Sequence, residues 1–282
     1  MQELRAKPIV AAIKSGLQER VKKFKEAHSR APKLVVVLVG NDPASVIYTT
    51  NKGKAALAVG MEHETLEFPV QIQPSKLKAA IQELNDNPNV DGILIQRPLP
   101  KNFSEQEVQT WIHPSKDVDA FHPENAGRLF LGVDCLTPCT PAGIMEILKH
   151  YKANLTGKIA CVVGRSSIVG KPIAQLLMQA DATIIHCHSK TQNLAHWTKQ
   201  ADVLVVAAGK RHLIKKSHVK EGAIVIDVGI HRGPDGKVTG DVDFVDASTV
   251  ASAITPVPGG VGPMTINMLL LNTMKAAEWR AK

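Results

Sequence analysis

Lys158-Ile159-Ala160-Cys161-Val162-Val163 is an apolar run that passes directly into Gly164-Arg165-Ser166-Ser167-Ile168-Val169-Gly170-Lys171-Pro172. Behind it, Ile173, Leu176, Leu177 and Ala180 fall on one helical face. A valine-rich run closed by glycine reads as a strand buried on both faces of a parallel sheet, and the periodic segment behind the turn reads as a helix. A helix that starts at a strand end turns unpaired backbone N–H groups and the positive end of its dipole toward the turn, which makes the turn an anion site. The spacing G-x-S-x-x-x-G lacks the middle glycine of the dinucleotide fingerprint G-x-G-x-x-G but keeps its strand-turn-helix setting.

The strand that follows, Thr183 to Cys187, sharpens this reading. A site for NAD usually places an acid about 20 residues beyond the glycines to bond the ribose 2′-OH. Here the strand ends in His188-Ser189-Lys190 with no acid. With Arg165 in the loop, this corner suits a 2′-phosphate, so NADP is favoured over NAD; the alternative is that Arg165 and Lys190 are solvated surface charges. His186 and His188 share a strand face and read as strand-end histidines beside a nucleotide rather than as metal ligands.

Outward from the loop, the chain alternates strand and helix in two blocks. The first holds a basic amphipathic helix (Ile9, Ile13, Leu17, Val21), a strand Leu34 to Val39, and a helix opened by Asn41-Asp42-Pro43-Ala44 and stopped at Gly60. A strand Glu62 to Phe68, a helix opened by Pro74-Ser75 and a strand Gly92 to Ile95 follow, an order that predicts a parallel sheet with right-handed crossovers. Residues 97–141 carry six prolines and read as an irregular interdomain segment. The second block runs from a helix at Ala142 to Lys152 through strands at Lys158, Thr183, Val203 and Ala223. A last helix, Thr265 to Trp279, is expected to pack back onto the first block. The 282 residues suit two such domains.

A formal charge of +8 favours anionic partners, but aromatics at 4% and two tyrosines, Tyr48 and Tyr151, leave no stacking platform for single-stranded nucleic acid. Small anions fit better. Four cysteines (Cys135, Cys139, Cys161, Cys187) form no C-x-x-C pair and read as reduced thiols, with no metal site expected. Met1 to Lys7 has no apolar stretch behind it, so no secretory signal is expected and the cytoplasm is the default. The uncharged stretch Ala247 to Met274 is broken by Pro256, Pro258, Gly259, Gly260, Gly262 and Pro263, so it reads as a loop and a helix rather than a membrane span.

Tyr48-Thr49-Thr50-Asn51-Lys52 places a phenol and an amine at i and i+4, one above the other on a helix face. A phenol beside a lysine can depress the amine's pKa or share its proton, as base chemistry near neutral pH requires. The pair lies in the block before the glycine loop, so it must act from the other domain, across a cleft. Gln96 follows Gly92-Ile93-Leu94-Ile95 at a strand end, the ligand edge of an α/β sheet, where it can bond Lys52 or a substrate without adding charge. Lys116-Asp117-Val118-Asp119 adds two carboxylates, each able to accept two parallel N–H bonds from an amidine-like edge, or to serve as a cap.

Together these segments strongly resemble the bifunctional methylenetetrahydrofolate dehydrogenase/methenyltetrahydrofolate cyclohydrolase family. The resemblance also rests on Pro98-Leu99-Pro100, Pro138-Cys139-Thr140-Pro141, Gly222 to Ile230, and above all Thr255-Pro-Val-Pro-Gly-Gly-Val-Gly-Pro-Met-Thr265. It implies two α/β domains flanking a cleft, the second a Rossmann-like NADP-binding domain. The expected boundaries are 1–118, completed by 264–282, for the folate-binding domain and 119–263 for the NADP domain.

By residue, the resemblance implies Lys52 as general acid/base, Tyr48 stacking on the pterin, Gln96 bonded to the lysine, and Asp119 anchoring the pterin edge. It implies cofactor contacts from Gly164, Arg165, Ser166, Ser189 and Ile230, and a folate end shaped by Pro256, Gly259 and Gly260. The implied chemistry is NADP-dependent oxidation of 5,10-methylenetetrahydrofolate and hydrolysis of the methenyl product to 10-formyltetrahydrofolate, in one-carbon metabolism and purine biosynthesis. A homodimer and polyglutamylated substrates are implied as well, with no nucleic acid or membrane partner. Ala120 stands where the family usually has glycine, and Arg97 where leucine is common. A monofunctional dehydrogenase, another two-domain NADP dehydrogenase and a non-catalytic NADP or nucleic-acid binder stay open as alternatives.

Overall fold

Every residue from Leu34 to Val39 is buried in the computed structural model, as a run flanked on both sides by parallel strands requires. The structure describes residues 1–233 and 236–281. In chain order its elements are β1 (Gln2–Glu3), α1 (Lys7–His28), β2 (Lys33–Val39), α2 (Pro43–Ala58), β3 (Glu62–Phe68), α3 (Pro74–Asp86), β4 (Gly92–Ile95), α4 (Glu105–Val108), α5 (Pro123–Leu131) and α6 (Cys139–His150). They continue with β5 (Ile159–Val163), α7 (Gly170–Gln179), β6 (Thr183–Cys187), α8 (Leu194–Thr198), β7 (Val203–Val206) and β8 (Ile224–Asp227). The last are β9 (His231–Arg232), β10 (Val238–Thr239), α9 (Phe244–Ala247), β11 (Ala253–Ile254) and α10 (Gly262–Arg280). The chain divides into two units: 12–139 with 266–282, here the lysine unit, and 1–11 with 140–265, the glycine-loop unit.

In the lysine unit β2 is central, with β3 on one side and β4 on the other, all parallel. The chain leaves β2 toward one neighbour and later returns to the other, so the end of β2 and the start of α2 form a topological switch point. Asp42 caps α2 by accepting the Ser45 N–H at 2.9 Å, and Pro43 opens its first turn. Leu77 and Ile81 of α3, Phe103 and Trp111 pack on the β2 and β4 side chains. The last helix is bound to this unit by charge as well as packing. Buried Asp91 accepts two bonds from Arg30, at 2.7 and 2.9 Å, and one from Arg280 of α10 at 3.2 Å.

The glycine-loop unit holds a parallel sheet in the order β1-β11-β8-β7-β5-β6 and a small antiparallel ladder, β9 with β10. Its chain runs from β5 to β6 and then crosses to β7 on the other side of β5, which puts the switch point at Gly164.

One expectation is corrected, and the compact units divide elsewhere than the expected bounds. Residues 97–141 are not an irregular linker: they include α4 and α5, and 97–139 belong to the lysine unit. Ile93 N–H donates to the Lys116 carbonyl at 2.8 Å, and Asn272 Nδ2 on α10 donates to the carbonyls of Val118 and Thr137, both at 2.8 Å. The compact units thus divide at 139/140, where the sequence reading expected 118/119. Residues 1–11 go with the glycine-loop unit, because β1 pairs with β11 and Ala6 N–H donates to the Gly259 carbonyl at 2.9 Å. A two-residue strand is too short to show a hydrophobic period, so composition could not announce it. The expected 264–282 return segment joins the lysine unit from residue 266, and its last residue, Lys282, lies outside the described residues.

Ala120, one of the noted departures, has a left-handed backbone with φ +59°, its N–H donating to the Asp117 carbonyl at 2.9 Å. A Cβ is strained in that region, which gives a physical reason for glycine there. Ala120→Gly is expected to raise the unfolding free energy by roughly 0.5–1 kcal/mol. An unchanged or lower urea midpoint would contradict the strain.

Candidate active site

Lys52 sits in the third turn of α2, half-buried, and its Nζ donates to Gln96 Oε1 at 2.8 Å. Gln96 is itself fixed: its backbone N–H bonds the Val37 carbonyl at 2.8 Å, continuing the β2–β4 ladder, and its Nε2 bonds the Arg97 carbonyl at 2.6 Å. With the glutamine only 8% exposed, its side-chain amide has one orientation that satisfies both partners. Tyr48 stands one turn before the lysine on α2 and is 51% exposed, a large ring open to a flat partner. The bond that orients Lys52 is thus to Gln96, across to the end of β4.

Burial raises the Asp119 carboxyl above the usual range, while the charges of Lys52 and then Arg97 pull it back down. The buried Cys139 thiol donates to the Val118 carbonyl at 3.3 Å and to Asp119 Oδ1 at 3.8 Å. Arg97, the second departure, pairs with Glu105 at 3.0 Å and lies 4.9 Å over the Phe121 ring. Ile95, Arg97, Leu99, Asp117, Asp119 and Phe121 line a small pocket here.

Its neighbours Lys116 and Asp117 serve the frame. Lys116 Nζ bonds the carbonyls of Leu84, Asn85 and Asn87 at 2.9, 2.7 and 2.7 Å, closing the end of α3, and burial brings its ammonium down to about 8. Asp117 accepts the His122 N–H at 2.7 Å and Asn125 Nδ2 at 3.2 Å, and burial pushes it up to about 7. The unfolded carboxyl releases its proton first, so the stability Asp117 contributes below the ordinary carboxylate range is lost as pH rises toward 7. Asp117→Asn removes that loss and should gain on the parent as pH rises from about 4 to about 7 in denaturant titrations. A pH-independent difference would contradict it.

In the glycine-loop unit, Gly164 has φ +124°, and a Cβ there would overlap the Ala207 carbonyl. A Cβ on Gly170 would overlap the Gly164 carbonyl. Both glycines are therefore required by close backbone approach, and the cradle they leave at the start of α7 suits a phosphate-bearing cofactor. Ser166 Oγ accepts the N–H groups of Val169 and Gly170 at 3.2 and 3.3 Å, shaping the turn. Arg165 and Ser189 are exposed at the ends of β5 and β6. His186, set aside as a nucleotide neighbour, bonds the Gly164 carbonyl through Nε2 at 2.7 Å.

Ile230, 59% exposed, lines one cavity with Pro256, Val257, Gly259, Gly260 and Gly262. The structure thus brings the expected cofactor residue Ile230 together with the expected folate-end loop, within the glycine-loop unit. Lys52, Tyr48, Gln96 and Asp119 gather in the lysine unit. Sequence reasoning noted Arg97 only as a departure and gave no site role to Cys139 and Asn272 in the first set, or to Asp227 and Asp241 in the second. Asp241 follows Gly240 and Asp227 ends β8 two residues before Gly229, a signal too common to single them out.

Comparison with known proteins covers nearly the whole chain. Residues 4–119 match the catalytic domain of the tetrahydrofolate dehydrogenase/cyclohydrolase family, and residues 138–281 match its NAD(P)-binding domain. The chain is 52% identical over 278 residues to the bifunctional protein FolD of Lactococcus lactis, covering 99% of this chain and 98% of that one. The crystal structure of the bifunctional FolD methylenetetrahydrofolate dehydrogenase/cyclohydrolase from Campylobacter jejuni is similar at a TM-score of 0.97 and 46% identity, covering 99% of each chain. A Trypanosoma brucei FolD, solved with NADP cofactor and an inhibitor, is similar at a TM-score of 0.93 and 34% identity, covering 99% of this chain and 97% of that one.

Proposed function

This chain belongs to the tetrahydrofolate dehydrogenase/cyclohydrolase family, and from that premise we propose how its residues divide the family's two reactions. It is a bifunctional enzyme of one-carbon folate metabolism, oxidising 5,10-methylenetetrahydrofolate to the methenyl form with NADP and hydrolysing that product to 10-formyltetrahydrofolate. NADP accepts the hydride that leaves the one-carbon bridge. Gly164, Arg165, Ser166, Ser189 and Ile230 hold it, with Arg165 and Ser189 receiving the 2′-phosphate.

The oxidation needs orientation more than a base, because the cation left behind is delocalised over two folate nitrogens. Tyr48 stacks on the pterin ring and Asp119 accepts its N–H edge; Pro256, Gly259 and Gly260 shape the folate end. Hydrolysis needs proton transfer. Water attacks the amidinium carbon, Lys52 Nζ takes a proton from it, and the same Nζ returns a proton to the nitrogen that leaves as the ring opens. The observation that carries this reading is the 2.8 Å bond from Lys52 Nζ to Gln96 Oε1, which fixes where the amine sits.

The reading extends to polyglutamylated folates drawn by the chain's excess of lysines, to a homodimer, and to the cytoplasm; no described helix is long and apolar enough to cross a membrane. Incubating the chain with methylenetetrahydrofolate and either NADP or NAD tests it. NADPH and 10-formyltetrahydrofolate should both form, faster with NADP and at lower substrate concentration with a longer glutamate tail. No reduced cofactor, or a preference for NAD, would refute the assignment.

A further inference from the structure

Asp241 is wholly buried beyond the carboxyl ends of β7 and β8, central strands of the sheet that carries the glycine loop. Its Oδ2 accepts the N–H groups of Ala208 and Gly209 at 2.6 and 2.9 Å, and its Oδ1 lies 2.7 Å from His231 Nε2. Its own N–H donates to Asp227 Oδ1 at 2.9 Å, the oxygen that also accepts the Gly229 N–H at 2.9 Å. Asp227 Oδ2 accepts Val242 N–H at 2.9 Å.

The two carboxylates thus tie three stretches of backbone. Ala208 and Gly209 follow Ala207, whose carbonyl is the atom that forbids a side chain at Gly164. Gly229 and His231 flank Ile230, so that residue is held from both sides. There is no slack: a Cβ on Gly229 would lie 2.5 Å from Asp241 Cγ, and one on Gly240 would overlap the Asp227 carboxylate.

Burying carboxylates is costly, and apolar packing would hold these strand ends at less expense. What a carboxylate adds is direction, since it fixes several N–H groups at once. We propose that Asp241, clasped to Asp227 and His231, is a positioning residue for the cofactor, holding Ile230 and the turn beside Gly164 in one fixed arrangement. The inference rests on the NADP assignment above and goes beyond it, because none of these side chains is among the cofactor contacts that the resemblance implied.

The test is a fluorescence titration with NADPH of the full chain and of Asp241→Ala, Asp241→Asn and His231→Ala, alongside hydrolysis of preformed methenyltetrahydrofolate. Asp241→Ala should weaken NADPH binding about tenfold or more and raise the KM for NADP in step. Asp241→Asn keeps one acceptor oxygen and should lose less. His231→Ala removes one bond from the clasp and should weaken binding about threefold, which keeps the proposal testable if Asp241→Ala does not fold. Hydrolysis, which uses no NADP, should be retained. NADPH affinities within about twofold of the parent in both Asp241→Asn and His231→Ala would overturn the proposal, as would binding and hydrolysis falling together. A parent that binds NADPH without oxidising methylenetetrahydrofolate would refute the activity assignment while the titration still decides the clasp.

Discussion

Lys52→Met is expected to lower hydrolysis of methenyltetrahydrofolate by about 10²- to 10⁴-fold, the range a positioned general acid/base contributes, and to leave a larger share of the NADP-dependent oxidation. Methionine keeps the length and the apolar stem of lysine but has no proton to move. The Gln96 amide loses its partner, yet its backbone bond to Val37 and its side-chain bond to the Arg97 carbonyl persist, so the strand end keeps its form. On the proposed division the oxidation asks only that the folate ring be oriented, and the groups proposed to do that, Tyr48 and Asp119, are unchanged. Equal loss of both activities in separate assays would count against this division of roles.

Gly164→Ala is expected to produce the opposite loss. The added methyl must displace the Ala207 carbonyl, and φ +124° is a conformation that L side chains rarely adopt. Backbone on both sides is fixed, Ala207 by its N–H bond to the Val163 carbonyl at 2.8 Å and Gly164 by its N–H bond to the Cys187 carbonyl at 2.9 Å. Relief must come from deforming the turn. Oxidation should fall by about 100-fold or more through a raised KM for NADP, with hydrolysis within about threefold of the parent. Gly170→Ala should behave alike, because its methyl would overlap the Gly164 carbonyl. Unchanged NADP affinity in both variants would contradict the phosphate cradle.

The parallel-sheet blocks were legible because their signal is local and redundant. Continuous apolar runs such as Leu34 to Val39, with glycine and capping residues at their ends, leave little choice of fold, and strands Glu62 to Phe68, Gly92 to Ile95 and Thr183 to Cys187 fall where they read. The Lys52–Gln96 contact was legible too, since a strand end in a parallel sheet faces the helix that follows its neighbour. What escaped was set by long-range pairing. The strand at Gln2–Glu3 exists only because β11 offers an edge, and α5 was hidden by the prolines around it. Asp241 escaped for the same reason: its partners at Ala208, Asp227 and His231 become neighbours only when the strand ends converge. Arg97 and Ala120 could be seen as departures in sequence, but their meaning needed the Phe121 ring and a left-handed backbone.

The central claim is that the lysine unit carries the proton chemistry of hydrolysis and the glycine-loop unit carries the cofactor. The most direct measurement is the ratio of methenyltetrahydrofolate hydrolysis to NADP-dependent oxidation, taken side by side for the parent, Lys52→Met and Gly164→Ala. The ratio should fall below the parent's in Lys52→Met and rise above it in Gly164→Ala; a shift in the same direction in both variants, or no shift in either, would contradict the account.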